Sequence, residues 1–233
     1  MTSAPSAEAL VSSLTGTPNP AYVSLIFVGA ALLPFLLLAL TSFLKISVVF
    51  SILRNALGAQ QVPSGAICSL LALVLSLHIM APIAQESYQN FQSSSDSQKP
   101  TEKSASLPIL IERISSAALP WESFLRNNSA ERERVYFATL GTKEAAVFDV
   151  QRENIVSLLP AFLLTELREA FQIGFLLFLP FLVVDLVVTN LLVGLGMTML
   201  TPTSVSLPLK LLLFYLADGW FLLSKSLVEG YLR

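Results

Sequence analysis

Six charged residues lie where charge is costly. Glu166, Arg168, Glu169, Asp185, Lys210 and Asp218 fall within or beside long apolar runs of a 233-residue chain. Ionisable groups in apolar sequence can relay protons or ions, pair with one another, or snorkel from a helix end to a membrane surface. Glu166, Arg168 and Glu169 sit within one helical turn, and Lys210 and Asp218 lie eight residues apart in one run. With no compact carboxylate–histidine set beside them, a relay ranks below ion pairing between subunits. Lys210 with Glu166 or Glu169 is the first candidate pair.

Other chemistries find little support. His78, the single histidine, lies in an apolar run with no acidic neighbour in sequence, and a packed polar residue is its simplest role. Cys68 is the single cysteine; it reads as a small buried hydrophobe and excludes an intrachain disulfide or a Cys-based zinc site. No G-x-S-x-G elbow, G-x-G-x-x-G turn or G-x-x-x-x-G-K-[ST] loop occurs. No catalytic residue, metal or cofactor is expected. A net charge of −2 argues against nucleic acid as a partner.

The elements that must position the charges are apolar helices. Hydrophobic residues make up 54% of the chain and charged residues 13%, far from a soluble domain. The segment 1–20 is polar, carries no basic residue and reads as preceding a retained first helix. Ala21–Leu44 has no charge over 24 residues, about 36 Å as a helix, enough for a bilayer core of about 30 Å. Pro34 within it predicts a kink. Lys45 opens a shorter apolar stretch, Ile46–Leu53, ended by Arg54. A turn-like segment, Asn55–Pro63, separates this from a second uncharged block, Val62–Ala84.

The region 91–154 reads as a polar helical domain outside the bilayer. Ser93–Ser104 has no apolar side chain and reads as a flexible linker. Leu107, Leu110, Ile111 and Ile114 then mark one face of an amphipathic helix, and Asn128 with Glu131 and Gly141 predict the start and stop of another. The positive-inside rule places Lys45 and Arg54 in the cytoplasm and this region on the other side.

The segment 155–233 holds two more apolar blocks, Ala170–Asn190 and Val205–Leu227, joined by Gly194-Leu195-Gly196-Met197. The last block sets twelve Leu, Val or Phe residues, worth roughly −6 kcal/mol in lipid, against Lys210 and Asp218 at about +3 each. The sum is near zero, so burial against protein suits these helices better than lipid. Met197 and Met199 lie between Gly196 and Pro202, where a continuous helix is not expected. Flexible apolar side chains there suit ordinary packing or the closing of an opening.

Two stretches resemble a known family. Leu53-Arg54-Asn55-Ala56-Leu57-Gly58-Ala59-Gln60-Gln61-Val62-Pro63 is similar to the signature of the FliP/YscR/HrcR (SctR) proteins, core components of the type III secretion export apparatus. Its marker positions are Arg54, Asn55, Gly58, Gln60, Gln61 and Pro63. A second stretch runs through Pro160-Ala161-Phe162, Glu166-Leu167, Ala170–Phe175, Leu179–Leu182 and Asp185–Val188. It continues through Gly196-Met197, Met199-Leu200, Ser206-Leu207-Pro208, Lys210–Phe214 and Asp218-Gly219-Trp220. Together they cover about residues 22–90 and 155–231.

The apolar blocks and the polar region between them predict an all-α chain of polytopic hydrophobic hairpins with a small extramembrane helical domain (91–154), itself outside the resemblance, between hydrophobic regions 21–90 and 155–233. The resemblance implies a homopentamer in a helical ring or cone in the bacterial inner membrane, with much of the assembly on the periplasmic side. Implied partners are two other hydrophobic export-apparatus proteins, SctS-like and SctT-like, the export-gate protein and unfolded secretion substrates. Met197 and Met199 match a methionine gasket that closes the channel at rest, and Thr198 interrupts the run of methionines found in flagellar members. That interruption and the retained N-terminus favour an injectisome over a flagellum. A secondary transporter or ion channel with a charge relay is the alternative; an intramembrane hydrolase has no motif behind it.

Overall fold

The computed structural model describes residues 27–28, 31, 35, 38–58, 63–96, 107–140, 155–197 and 199–231. Of a first unit, residues 1–38, only Phe27, Val28, Ala31, Phe35 and Leu38 are described, all helical. The polar segment 1–20, the kink at Pro34, the pair Gln60-Gln61 and the stop at Gly141 lie outside the described residues.

The second unit begins at Ala39 and, among the described residues, is built from seven helices and no strand. They are α1 (Phe43–Leu57), α2 (Gly65–Asp96), α3 (Leu107–Asn127), α4 (Glu131–Leu140), α5 (Ile155–Gly194), α6 (Pro202–Leu216) and α7 (Gly219–Glu229). The all-α expectation holds. Gly65–Ser93 of α2 and Ser157–Gly194 of α5 are long and apolar enough to cross a membrane. α6 and α7 meet the same test only as a pair, bent by 59° at their junction.

α1 is the hub. Ile46, Val49, Phe50, Leu53 and Leu57 recur at helical spacing and are buried, with Ala56 beside them. Each large side chain so buried contributes roughly 1.5–3 kcal/mol. α2 runs antiparallel to α1: the Ser42 hydroxyl donates to Ser76 Oγ at 3.2 Å, and the Arg54 guanidinium lies against Gly65. α5 runs parallel to α1, since Lys45 meets Glu166 while Ile52, two turns on, meets Gly174. A Cβ on Gly174 would overlap Ile52 Cδ1 and lie 3.0 Å from its Cγ2, so glycine sets the approach of the two helices.

α7 returns along α1. The Trp220 ring lies 6.1 Å from that of Phe50 and 5.2 Å, edge to face, from that of Phe214. α3 packs on α2 and on α5, where the Phe124 ring is 5.7 Å from that of Phe162. α4 packs on α5. Its first turn carries Glu131 and Glu133, which favour a helix N-terminus.

The structure differs from expectation in several places; α1 stays helical to Leu57, into the stretch read as turn-like from Asn55. α2 continues to Asp96, into the stretch read as a flexible linker. Adding residues to a helix already nucleated costs little, and the Gln92 amide donates to Tyr88 Oη at 2.7 Å. The start of α4 is not capped by Asn128, whose amide turns back to the Phe124 carbonyl at 2.8 Å and closes α3. Instead the Ala130 N–H donates to the Thr165 hydroxyl at 3.0 Å. Finally, the block Val205–Leu227 is two helices broken at Ala217-Asp218.

Candidate functional site: a methionine turn between two charge nodes

α5 and α6 form an antiparallel hairpin with a narrow mutual seam. Phe181, Val188 and Leu192 of α5 and Ser206, Lys210 and Phe214 of α6 are its buried residues. Around the seam Phe175, Leu176, Val183, Leu191, Leu212, Tyr215 and Leu216 are exposed. Such a hairpin has far too little of its apolar surface covered for water and must face lipid or other protein.

The hairpin turn is a closed helix end. α5 stops with Gly196 at φ 72°, the Gly196 N–H donating to Val193 O at 3.0 Å and the Met197 N–H to Leu192 O at 2.9 Å. This pair of bonds is a Schellman motif, and it fixes the direction in which Met197 leaves the helix. On the other side Thr201 precedes Pro202, the first residue of α6, and accepts the Ser204 N–H on its carbonyl at 3.1 Å. Between these stops Met197 is 45% and Met199 96% exposed. Two methionines are thus displayed between two closed helix ends.

Lys210 lies in the seam below the turn. Its ammonium is buried, pairs with Asp185 Oδ2 at 2.6 Å and donates to the Ala56 carbonyl at 3.0 Å. The Ser206 hydroxyl donates to Asp185 Oδ1 at 2.7 Å, completing the carboxylate. Ala56 lies in the last turn of α1, where carbonyls lack helical partners and a cation is favoured. This node therefore ties α1, α5 and α6 together. The signature segment begins at the same place: Gly58 ends α1 at φ 72°, its N–H donating to Asn55 O at 3.1 Å. A Cβ there would sit 3.8 Å from Thr203 Cγ2 of α6. Asn55 is exposed, and Pro63 begins the described chain again before α2.

The second node sits at the opposite end of α1. Lys45 Nζ, buried, lies 2.9 Å from Glu166 Oε1 and 2.7 Å from Glu169 Oε2. The first contact is an ion pair by distance but off the angle of a hydrogen bond. Glu166 is wholly buried, and its Oε2 accepts the Tyr231 hydroxyl. The Tyr231 ring carries the Lys45 ammonium 4.2 Å from its centroid and stacks on Phe124 at 6.0 Å. Burial first, and then the Glu166 carboxylate, hold the Tyr231 phenol well above the usual tyrosine range.

The sequence-derived charges thus divide. Within one chain Lys210 meets Asp185, and Glu166 and Glu169 are engaged by Lys45; the expected pair of Lys210 with Glu166 or Glu169 is one between subunits. Arg168 reaches out to Glu133 of α4 at 2.8 Å. Asp218, expected among buried or paired charges, is exposed at the break between α6 and α7 in the left-handed conformation, φ 49°. Gly219 follows because a Cβ there would overlap the Phe214 ring. Sequence reasoning missed three members, Lys45, Ser206 and Tyr231. Lys45 carried a signal, a lone cation between apolar runs; Tyr231 carried none.

The FliP family model matches residues 26–227. The hypersensitivity response secretion protein HrcR of Ralstonia nicotianae is 40% identical over 218 residues, covering 91% of this chain and 99% of its own. The virulence protein YscR of Salmonella typhimurium is 42% identical over 205 residues, 86% of this chain and 92% of its own. The surface presentation of antigens protein SpaP of Shigella flexneri is 39% identical over 205 residues, 87% and 92%. A family match through every helix from α1 to α6 and most of α7, with relatives aligned over nearly their full length, leaves one conclusion: the chain belongs to the FliP family.

Proposed function

We propose that this chain is a structural, non-enzymatic subunit of a type III secretion export channel, through which unfolded proteins leave the bacterial cytoplasm. Five copies line the channel in the inner membrane, joined by SctS-like and SctT-like partners, with much of the assembly on the periplasmic side. Names of relatives that refer to secretion, virulence and a hypersensitivity response support an injectisome rather than a flagellum. The observation that carries the reading is Met199, 96% exposed at the tip of an apolar hairpin whose turn is locked by the Gly196 motif. A ring of such turns supplies a flexible apolar seal.

The alternative, an ion or proton relay, needs charges in succession. Glu166 and Asp185 are 19 residues apart on α5, about 28 Å at the helical rise, and each is engaged by its own lysine. That spacing favours two separate structural nodes. The test is Met197→Ala with Met199→Ala in the assembled complex, which should raise small-ion leak through the closed channel. Unchanged leak would remove the seal assignment.

A further inference from the structure

The Lys210 node and the methionine turn belong to the same hairpin, and α1 ends between them. Thr203, near the turn, faces Gly58, and Lys210, two helical turns further along α6, binds the Ala56 carbonyl. The first half of α6 is thus fixed to the end of α1 at two heights. Asp185 and Ser206 fix the same stretch to α5. The turn itself stands in open space: a Cβ added at Gly194 or at Gly196 would meet no atom within 4 Å. α5 itself packs on α1 through Gly174 and Ile52, whereas the outer face of α6 is exposed, so the placement of α6 on the end of α1 rests on the seam and on these polar contacts.

We propose that Lys210, with Asp185 and Ser206, is the positioning clasp of the methionine turn: it locks the end of α1 to the hairpin, so that Ala56–Gly58 and the start of α6 move as one body. The clasp rests on the reading of Met197 and Met199 as the closure. A cation buried against one helix-end carbonyl and one carboxylate is a strong, directional tie, since leaving either partner behind unpaired is costly. Substitution of Lys210 therefore releases the turn without removing either methionine.

The test uses the full export complex assembled with a large excess of unlabelled chains, so that at most one copy per complex carries spin labels at Asn55 and Leu200, both exposed, with Cys68→Ala in all copies. The parent complex should give a narrow label-to-label distance distribution. Lys210→Gln should broaden it and raise closed-state ion leak about tenfold, the change expected from losing one charge-assisted hydrogen bond. Ser206→Ala, which leaves the Lys210–Asp185 pair in place, should do both to a smaller extent and decides the matter if Lys210→Gln does not assemble. An assembled variant with an unchanged distance distribution overturns the clasp. So does unchanged leak in a background where Met197→Ala with Met199→Ala does leak. If that methionine pair itself leaves leak unchanged, the closure reading fails, and the distance distribution alone judges the clasp.

Discussion

Lys45 Nζ lies 2.9 Å from Glu166 Oε1, joining the first turn of α1 to α5 across 121 residues of sequence. Glu166 has no exposed surface, so the pair cannot be replaced by water if one member is lost. Lys45→Met should therefore destabilise the chain by about 3–5 kcal/mol, the usual cost of stranding a buried charge. Lys45→Met combined with Glu166→Leu should recover most of that loss. Thermal unfolding in detergent, followed by Trp220 fluorescence against the buried Phe50, measures both; a double variant no better than the single would sink the pairing.

Tyr231 completes the same node from the far end of the chain, 65 residues beyond Glu166. Tyr231→Phe keeps the ring under Lys45 and removes the hydroxyl, for an expected loss of about 1.5–3 kcal/mol, the range for hydrogen bonds to charged groups. The phenol's raised pKa sets the pH dependence. A group whose folded pKa exceeds its unfolded value of about 10 contributes stability that is complete below that pH and is lost as pH rises past it. Unfolding free energy should thus fall more steeply above pH ~10 in the parent than in Tyr231→Phe. Parallel alkaline curves for the two proteins would contradict the placement of the hydroxyl.

Helix approach gives a separate check. Gly174→Ala places a methyl against Ile52, and overpacking of this kind costs about 1–3 kcal/mol. Ile52→Ala in the same chain should restore much of the loss, although alone it removes buried apolar surface. Equilibrium unfolding of the four-member cycle reads the coupling; strictly additive effects would mean that α1 and α5 do not meet there.

Much of this was readable from residue types alone. Long apolar runs gave the helices, and Gly194, Gly196 and Pro202 marked the hairpin turn. The partner of Lys210 within its own chain was also within reach: an antiparallel hairpin centred near residue 198 places residue 210 opposite about residue 186, close to Asp185. The break at Asp218 had a sign in the Asp-Gly pair, a common turn dipeptide, which the surrounding apolar run masked. Tyr231 had no local signature, because its role depends on α7 folding back along α1 and on Phe124 arriving from α3. Contacts of that range are set by tertiary packing and leave no periodicity to read.

Gly196 tests the turn without touching the methionines. Gly196→Ala meets no atoms within 4 Å, so its cost is the left-handed backbone alone, about 1–2 kcal/mol. Gly196→Asn should be better tolerated, because asparagine enters that region more readily. Hydrogen exchange at the Met197 amide, bonded to Leu192 O, should speed up in the alanine variant more than in the asparagine variant. Equal protection in both would contradict the Schellman closure.

The central claim is that this chain is one of several identical subunits around a channel. Native mass spectrometry of the detergent-extracted protein tests it most directly. The account predicts a species of five copies, retained when SctS-like and SctT-like partners are co-expressed; a monomer as the sole species, with or without partners, would contradict it.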